Sequence, residues 1–142
     1  MRPRALYYRV LGYQKENLSR LRELFEVEEF EDPREDREDV LERVKVLFAP
    51  LGFALDGSRM DRCSVLKAIV SNTTGVPHID VAAATRRGIA VCALHNEPAF
   101  LDRITPTAEH AIGLMLAAHR QLIPSSASAT AGSWNRRPWS AP

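Results

Sequence analysis

The chain has 142 residues, 45% hydrophobic and 26% charged, the size and balance of one soluble globular domain with an ordinary core. Its 19 basic residues nearly cancel its 18 acidic ones, so no net field draws it to nucleic acid or to an anionic membrane. Cys63 and Cys92 are too few for a metal framework and call for no disulfide in a chain this long, which fits a reducing cytoplasm. No long apolar region follows the basic start Met1-Arg2-Pro3-Arg4, which argues against secretion. The longest apolar run, Ala111 to Ala118, falls far short of the roughly 20 residues that cross a bilayer.

In chain order, Ala5 to Leu11 reads as a buried strand, and Gln14 to Phe25 as a helix with Leu18, Leu21, Leu24 and Phe25 on one face. Glu26 to Phe30 fits a short strand, after which Asp32-Pro33 offers a helix start with Val40, Leu41 and Val44 as a sparse apolar face. Ten carboxylates and only two basic residues, Arg34 and Arg37, lie between Glu26 and Glu42; such a run reads as a solvated helix and loop rather than a cation site. Val44 to Phe48 is strand-like and ends at the turn pair Pro50 and Gly52, before a short helix around Ser58 to Val65. Lys67 to Val70 and Ile89 to Leu94 supply two more strands, separated by a helix from about Asp80 to Arg87. Five strands alternating with helices predict an α/β fold: a parallel sheet with helices on both faces and right-handed crossovers.

From His95 to Ile104 the chain reads as a loop containing Pro98. Thr105-Pro106 then fits an N-cap followed by proline at the first helical position, opening a helix to about Leu122. Ala108, Ala111, Ile112 and Leu114 to Ala118 leave that helix almost no polar side, so it calls for cover all round. Beyond Pro124 a serine- and alanine-rich stretch predicts a short helix or turn and a mobile tail carrying Trp134 and Trp139.

Ser71-Asn72-Thr73-Thr74-Gly75 follows a predicted core strand, which in a parallel sheet sets it at the carboxyl edge where ligands bind. Taken by itself it reads first as a plain strand-to-helix turn in which glycine serves the φ angle. The alternative is a turn whose consecutive N–H groups hold a carboxylate, with Gly75 letting a ligand approach the backbone. Asp80 is placed to cap the following helix, and His78 to pack or hydrogen bond. His95, His110 and His119 have no acid partner in view and no metal mate at i+4.

Thr74-Gly75-Val76-Pro77-His78-Ile79-Asp80, followed by Ala82-Ala83-Ala84 and Arg87-Gly88-Ile89, resembles the Gly-x-x-His/Asn-Ile/Val-Asp signature of the D-isomer-specific 2-hydroxyacid dehydrogenases, the phosphoglycerate dehydrogenase-like family. Thr107-Ala108-Glu109-His110 is similar to the start of that family's interdomain helix. The resemblance implies a flavodoxin-like substrate domain over residues 1–104, and an interdomain helix and tail over 105–142 leading to an absent NAD-binding domain. It implies that the main chain at Thr74 and Gly75 receives a substrate carboxylate and that Thr107 lies by the cofactor, NAD or NADP in the parent enzyme. The implied substrate is a small 2-hydroxy or 2-oxo acid, and the implied assembly a homodimer through the apolar helix 105–122. Substrate choice is expected in the segment from Leu94 to Arg103, which is longer and more charged than the family's usual loop.

The family's catalytic arginine, acidic residue and histidine all follow its nucleotide fingerprint. No two of the seven glycines here are two positions apart, so no Gly-x-Gly-x-x-Gly exists. The isolated chain is therefore expected to hold no catalytic residue, no metal and no cofactor. The competing expectation is a free-standing, non-catalytic flavodoxin-like module that binds a carboxylate metabolite. A true flavodoxin would want a Ser/Thr-rich loop where Gly12-Tyr13-Gln14-Lys15-Glu16 stands, and a phospho-receiver an acid where Ala49-Pro50 stands.

Overall fold

The computed structural model describes residues 2–139. They divide into two compact units, 1–101 and 102 onward, each taken by itself below. The first is built on five parallel strands: β1 (Arg4–Tyr8), β2 (Glu26–Phe30), β3 (Val46–Phe48), β4 (Ala68–Val70) and β5 (Ala90–Cys92). Their order is β2-β1-β3-β4-β5, so the chain reverses direction across the sheet between β1 and β3. Ala5 stands beside both Val27 and Val46, and Ile69 lies between Leu47 and Val91.

The two-residue period of the strands sorts their side chains into two cores. Leu6, Tyr8, Leu47 and Ile69 face one side, where Val40 and Leu41 of α2 (Glu38–Leu41), Met60 of α3 (Gly57–Asp61), and Ala83 and Ala84 of α4 (Val81–Arg86) pack on them. Ala5, Tyr7 and Phe48 face the other, covered by Leu21 of α1 (Lys15–Leu24). The predicted parallel sheet with helices on both faces is thus present. Each fully buried large aliphatic chain contributes about 1.5–3 kcal/mol. Cys63 lies in the first core, and burial pushes its thiol up to about 11, leaving it an inert apolar group; Cys92 is free and exposed.

One polar cluster interrupts the first core. The Tyr8 hydroxyl donates to Asp36 Oδ1 at 2.6 Å and accepts from Arg59 Nη2 at 2.6 Å, while Arg59 Nε donates to Asp36 Oδ2 at 3.0 Å. The Arg59 and Asp36 side chains are only 11% and 4% exposed. Burial keeps the Tyr8 phenol well above its ordinary range, so it remains a donor. The cluster ties the end of β1 to the loop before α2 and to α3. Most of the other acidic side chains of this region meet arginines, as in Arg22 with Glu29 and Arg43 with Asp39, and among the described residues none joins a group of three placed to hold a metal.

Several boundaries differ from expectation. The first strand stops at Tyr8, and Arg9–Leu11 forms a 3-10 turn. Asp32-Pro33 opens only a 3-10 turn, Pro33–Glu35, with the Asp32 carboxylate accepting from the Arg34 N–H at 2.8 Å. The expected helix of 58–65 is the single turn α3. The expected loop after His95 contains a 3-10 turn, Leu94–Asn96, and α5 (Pro98–Leu101), where proline occupies a first-turn position needing no N–H.

The second unit holds α6 (Pro106–His119), α7 (Leu122–Thr130) and a 3-10 turn at Arg137–Trp139. The helix expected to reach Leu122 ends at His119, because Pro124 has no N–H for the Arg120 carbonyl and its ring would collide with that group. The chain turns instead through Gln121 at φ +48°. Thr105 precedes Pro106 as expected, but its side chain does not cap the helix: the hydroxyl donates to Glu109 Oε1 at 2.5 Å. The apolar side chains of α6 lack the cover they call for, Leu114 and Met115 being about 60% exposed. No helix among the described residues is long and apolar enough to cross a membrane.

Asp36→Ala would leave the Arg59 guanidinium buried without its counter-charge, and is expected to cost about 3–5 kcal/mol in urea unfolding. The double variant Asp36→Ala/Arg59→Met should recover a substantial part of that loss. Equal loss in the single and double variants would contradict the assignment.

Candidate functional site

The two hydrogen bonds that close the sheet around the end of β4 run from Ala49 N to Val70 O and from Ser71 N to Cys92 O, each 2.8 Å. Beyond them the chain leaves the ladder. Among the described residues, the main-chain N–H groups of Asn72, Thr73, Thr74, Gly75 and Val76 donate to nothing. Three of the five carbonyls of the same turn are engaged: Thr73 O accepts from Leu94 N at 3.2 Å, Gly75 O from Thr73 Oγ1 at 2.6 Å, and Val76 O from Ile79 N at 3.0 Å. A run of five free donors among which most carbonyls are occupied, at the carboxyl edge of a parallel sheet, is chemically suited to an anion.

Both flanks of the turn are pinned. Leu55 and Ile79 form a parallel bridge, with Leu55 N donating to His78 O at 2.7 Å and Asp80 N to Leu55 O at 3.0 Å. Asp80 caps α4 as expected, its Oδ1 accepting from Ala83 N at 2.8 Å. At the far end of α4, Gly88 takes φ +67°, a left-handed conformation that lets the chain reverse into β5. Arg87 joins this helix to α3 through Asp61, Nε to Oδ1 at 2.7 Å.

Thr74 is exposed, and its side chain makes no hydrogen bond. Gly75 does not serve the φ angle, since it lies outside the left-handed region, which overturns the plain-turn account of its identity. A Cβ built there would meet only Pro77 Cδ, at an ordinary 3.7 Å, so the fold itself does not require glycine. Ser71 and Thr73 take part in the turn through their hydroxyls, 2.7 Å apart, and Ser71 Oγ lies 3.3 Å from His78 Nε2. The sequence marks both residues as turn formers but carries no signal for this pairing. Thr107, in the second unit, sits exposed in the first turn of α6 with no side-chain hydrogen bond; it does not bond back to its own helix.

A hollow of about 680 Å³ lies at the opposite, amino edge of the sheet, bordered by Arg2, Arg4, Glu26, Glu42, Arg43 and Lys45. Arg4 there already pairs with Glu26 at 3.2 Å and Arg43 with Asp39 at 2.9 Å, so much of its charge is spent. The turn after β4 has the free donors. Among the described residues no group of three His, Cys, Asp or Glu is placed to hold a metal. The chain has no Gly-x-Gly-x-x-Gly.

The model of the D-isomer specific 2-hydroxyacid dehydrogenase catalytic domain matches residues 5–132. This chain belongs to that family. It is 33% identical over 141 residues to a glyoxylate reductase of Pyrococcus furiosus, covering 96% of this chain and 40% of the relative. The glyoxylate/hydroxypyruvate reductase of Sinorhizobium meliloti, solved with NADP and malonate, aligns at a TM-score of 0.65 and 27% identity over 96% of this chain and 40% of that one. The D-lactate dehydrogenase of Aquifex aeolicus, solved with NAD and lactic acid, shares the fold at a TM-score of 0.77 and 18% identity, covering 97% of this chain and 40% of that one. The chain thus spans about 40% of the length of these relatives.

Proposed function

We propose that this chain is the substrate-binding part of an NAD- or NADP-dependent D-2-hydroxyacid dehydrogenase, and that the turn 72–76 receives the carboxylate of a small 2-oxo or 2-hydroxy acid. The observation that carries the proposal is the run of five unpaired N–H groups from Asn72 to Val76. A carboxylate docked there fixes one end of the substrate, and Gly75 leaves the backbone open to close approach. Interconversion of a 2-oxo and a 2-hydroxy acid also needs a hydride donor, a proton donor for the carbonyl oxygen and a cation beside it. We assign the cofactor and those groups to a second domain joined through the segment 105–142, with residues 1–104 as the substrate domain and Thr107 near the cofactor. The names of the relatives favour a short acid such as glyoxylate. The exposed apolar side chains of α6, Ile112, Leu114, Met115 and Leu116, are proposed to pair with a second copy, giving a homodimer. The setting for this chemistry is a reducing cytoplasm.

A non-catalytic carboxylate-binding module is the second reading, favoured by the position of the whole turn within the compact unit 1–101. Both readings require the anion site. They part when the chain is joined to a dinucleotide-binding domain of the family, which restores turnover only under the first.

Oxamate, an unreactive 2-oxo acid analogue, is expected to bind the chain in calorimetric titration. Gly75→Val should abolish that binding while leaving the melting temperature within a few degrees, since the added Cβ would make only an ordinary contact with Pro77 Cδ at 3.7 Å. Unchanged oxamate affinity in Gly75→Val would exclude the turn as the site. The pure chain is expected to oxidise no NADH in the presence of glyoxylate, and steady turnover above a buffer blank would show that the catalytic groups are here after all. Equilibrium sedimentation should give a dimer that dissociates on dilution; a constant monomer mass at all concentrations would remove α6 as the interface.

A further inference from the structure

The hydrogen bonds behind the turn run in one direction only. Thr73 Oγ1 donates its single proton to Gly75 O at 2.6 Å, so at the 2.7 Å contact with Ser71 it accepts, and Ser71 Oγ is the donor. With its own proton committed, Ser71 accepts at the 3.3 Å contact with His78, which makes His78 Nε2 a donor. Ser71 is only 3% exposed, so water competes little for its hydroxyl. His78 Nδ1 is buried without a partner, as suits the unprotonated nitrogen of a ring whose proton is held at Nε2. The chain reads His78 Nε2–H to Ser71 Oγ–H to Thr73 Oγ1–H to Gly75 O.

Its end point matters for function. Gly75 O belongs to the peptide joining Gly75 to Val76, and in a trans peptide the carbonyl and the N–H point opposite ways. Holding the carbonyl toward Thr73 therefore turns the Val76 N–H away from it. Glycine is the residue beside which a peptide flips most readily, so this orientation needs an external hold.

We propose that His78 is a positioning residue which, through Ser71 and Thr73, locks the Gly75–Val76 peptide so that the Val76 N–H is presented as an anion donor. The orientation belongs to the free chain; only the identity of the anion rests on the carboxylate reading above.

Long-range proton–nitrogen NMR of the chain at alkaline pH should find the His78 proton on Nε2, and Ser71→Ala should release that preference. The Val76 amide resonance should move in the same direction in Ser71→Ala, Thr73→Val and His78→Leu. Oxamate affinity should fall about tenfold in each, the worth of one net hydrogen bond. His78→Gln, which keeps a donor near the Nε2 position, should restore both readouts, which a loss of packing would not explain. A proton on Nδ1, or a Val76 resonance indifferent to all three variants, overturns the proposal. Expected tautomer and Val76 shifts without oxamate binding in the parent chain would uphold the lock and refute the carboxylate reading instead.

Discussion

The constraint on which this molecule turns is the exhaustion of hydrogen-bond partners at the end of β4. A parallel sheet satisfies its main-chain donors only where neighbouring strands run alongside, and β3 and β5 stop serving the central chain at Val70 and Ser71. The next five N–H groups must find water or a ligand, because the chain cannot yet enter α4, whose first turn is claimed by the Asp80 carboxylate. The run of free donors in the turn is thus a product of topology before it is a property of any side chain. Side chains then refine it: Thr73 occupies the Gly75 carbonyl, and the absence of a Cβ at Gly75 keeps the approach open.

Around this edge the fold spends its rigidity. The Leu55–Ile79 bridge and the Arg87–Asp61 pair fix the far side of the turn, while Leu94 reaches back to Thr73 from the segment after β5. On the other side of the sheet's reversal point, Tyr8, Asp36 and Arg59 hold the end of β1 by a buried ion pair. Such a pair adds little net stability over apolar packing. Its bonds tie α3 to the end of β1 and to the loop before α2.

Much of the fold was legible because its strands read as short apolar runs between helical patterns: Ala5 to Tyr8 form a run buried on both faces, and the α4 cap was readable from Asp80 alone. What failed to show involved competition or distance. Thr105 has the chemistry of a cap, but Glu109 one turn on takes its hydroxyl. The early end of α6 was encoded by Pro124, whose effect falls four residues upstream, at a point the apolar run of α6 masks. The Tyr8 cluster joins residues 28 and 51 positions apart, beyond any local pattern. The identity of the candidate site came from motif resemblance, and its donors became visible only with the backbone; the sequence could not separate a glycine needed for φ from one needed for access.

The central claim is that the turn after β4 receives a carboxylate through its main chain. A crystal structure of the chain with oxamate tests it most directly. The account predicts the carboxylate oxygens within hydrogen-bonding distance of N–H groups between Thr74 and Val76. Oxamate seated instead among Arg2, Arg4 and Lys45 at the amino edge, with the turn unchanged, would contradict it.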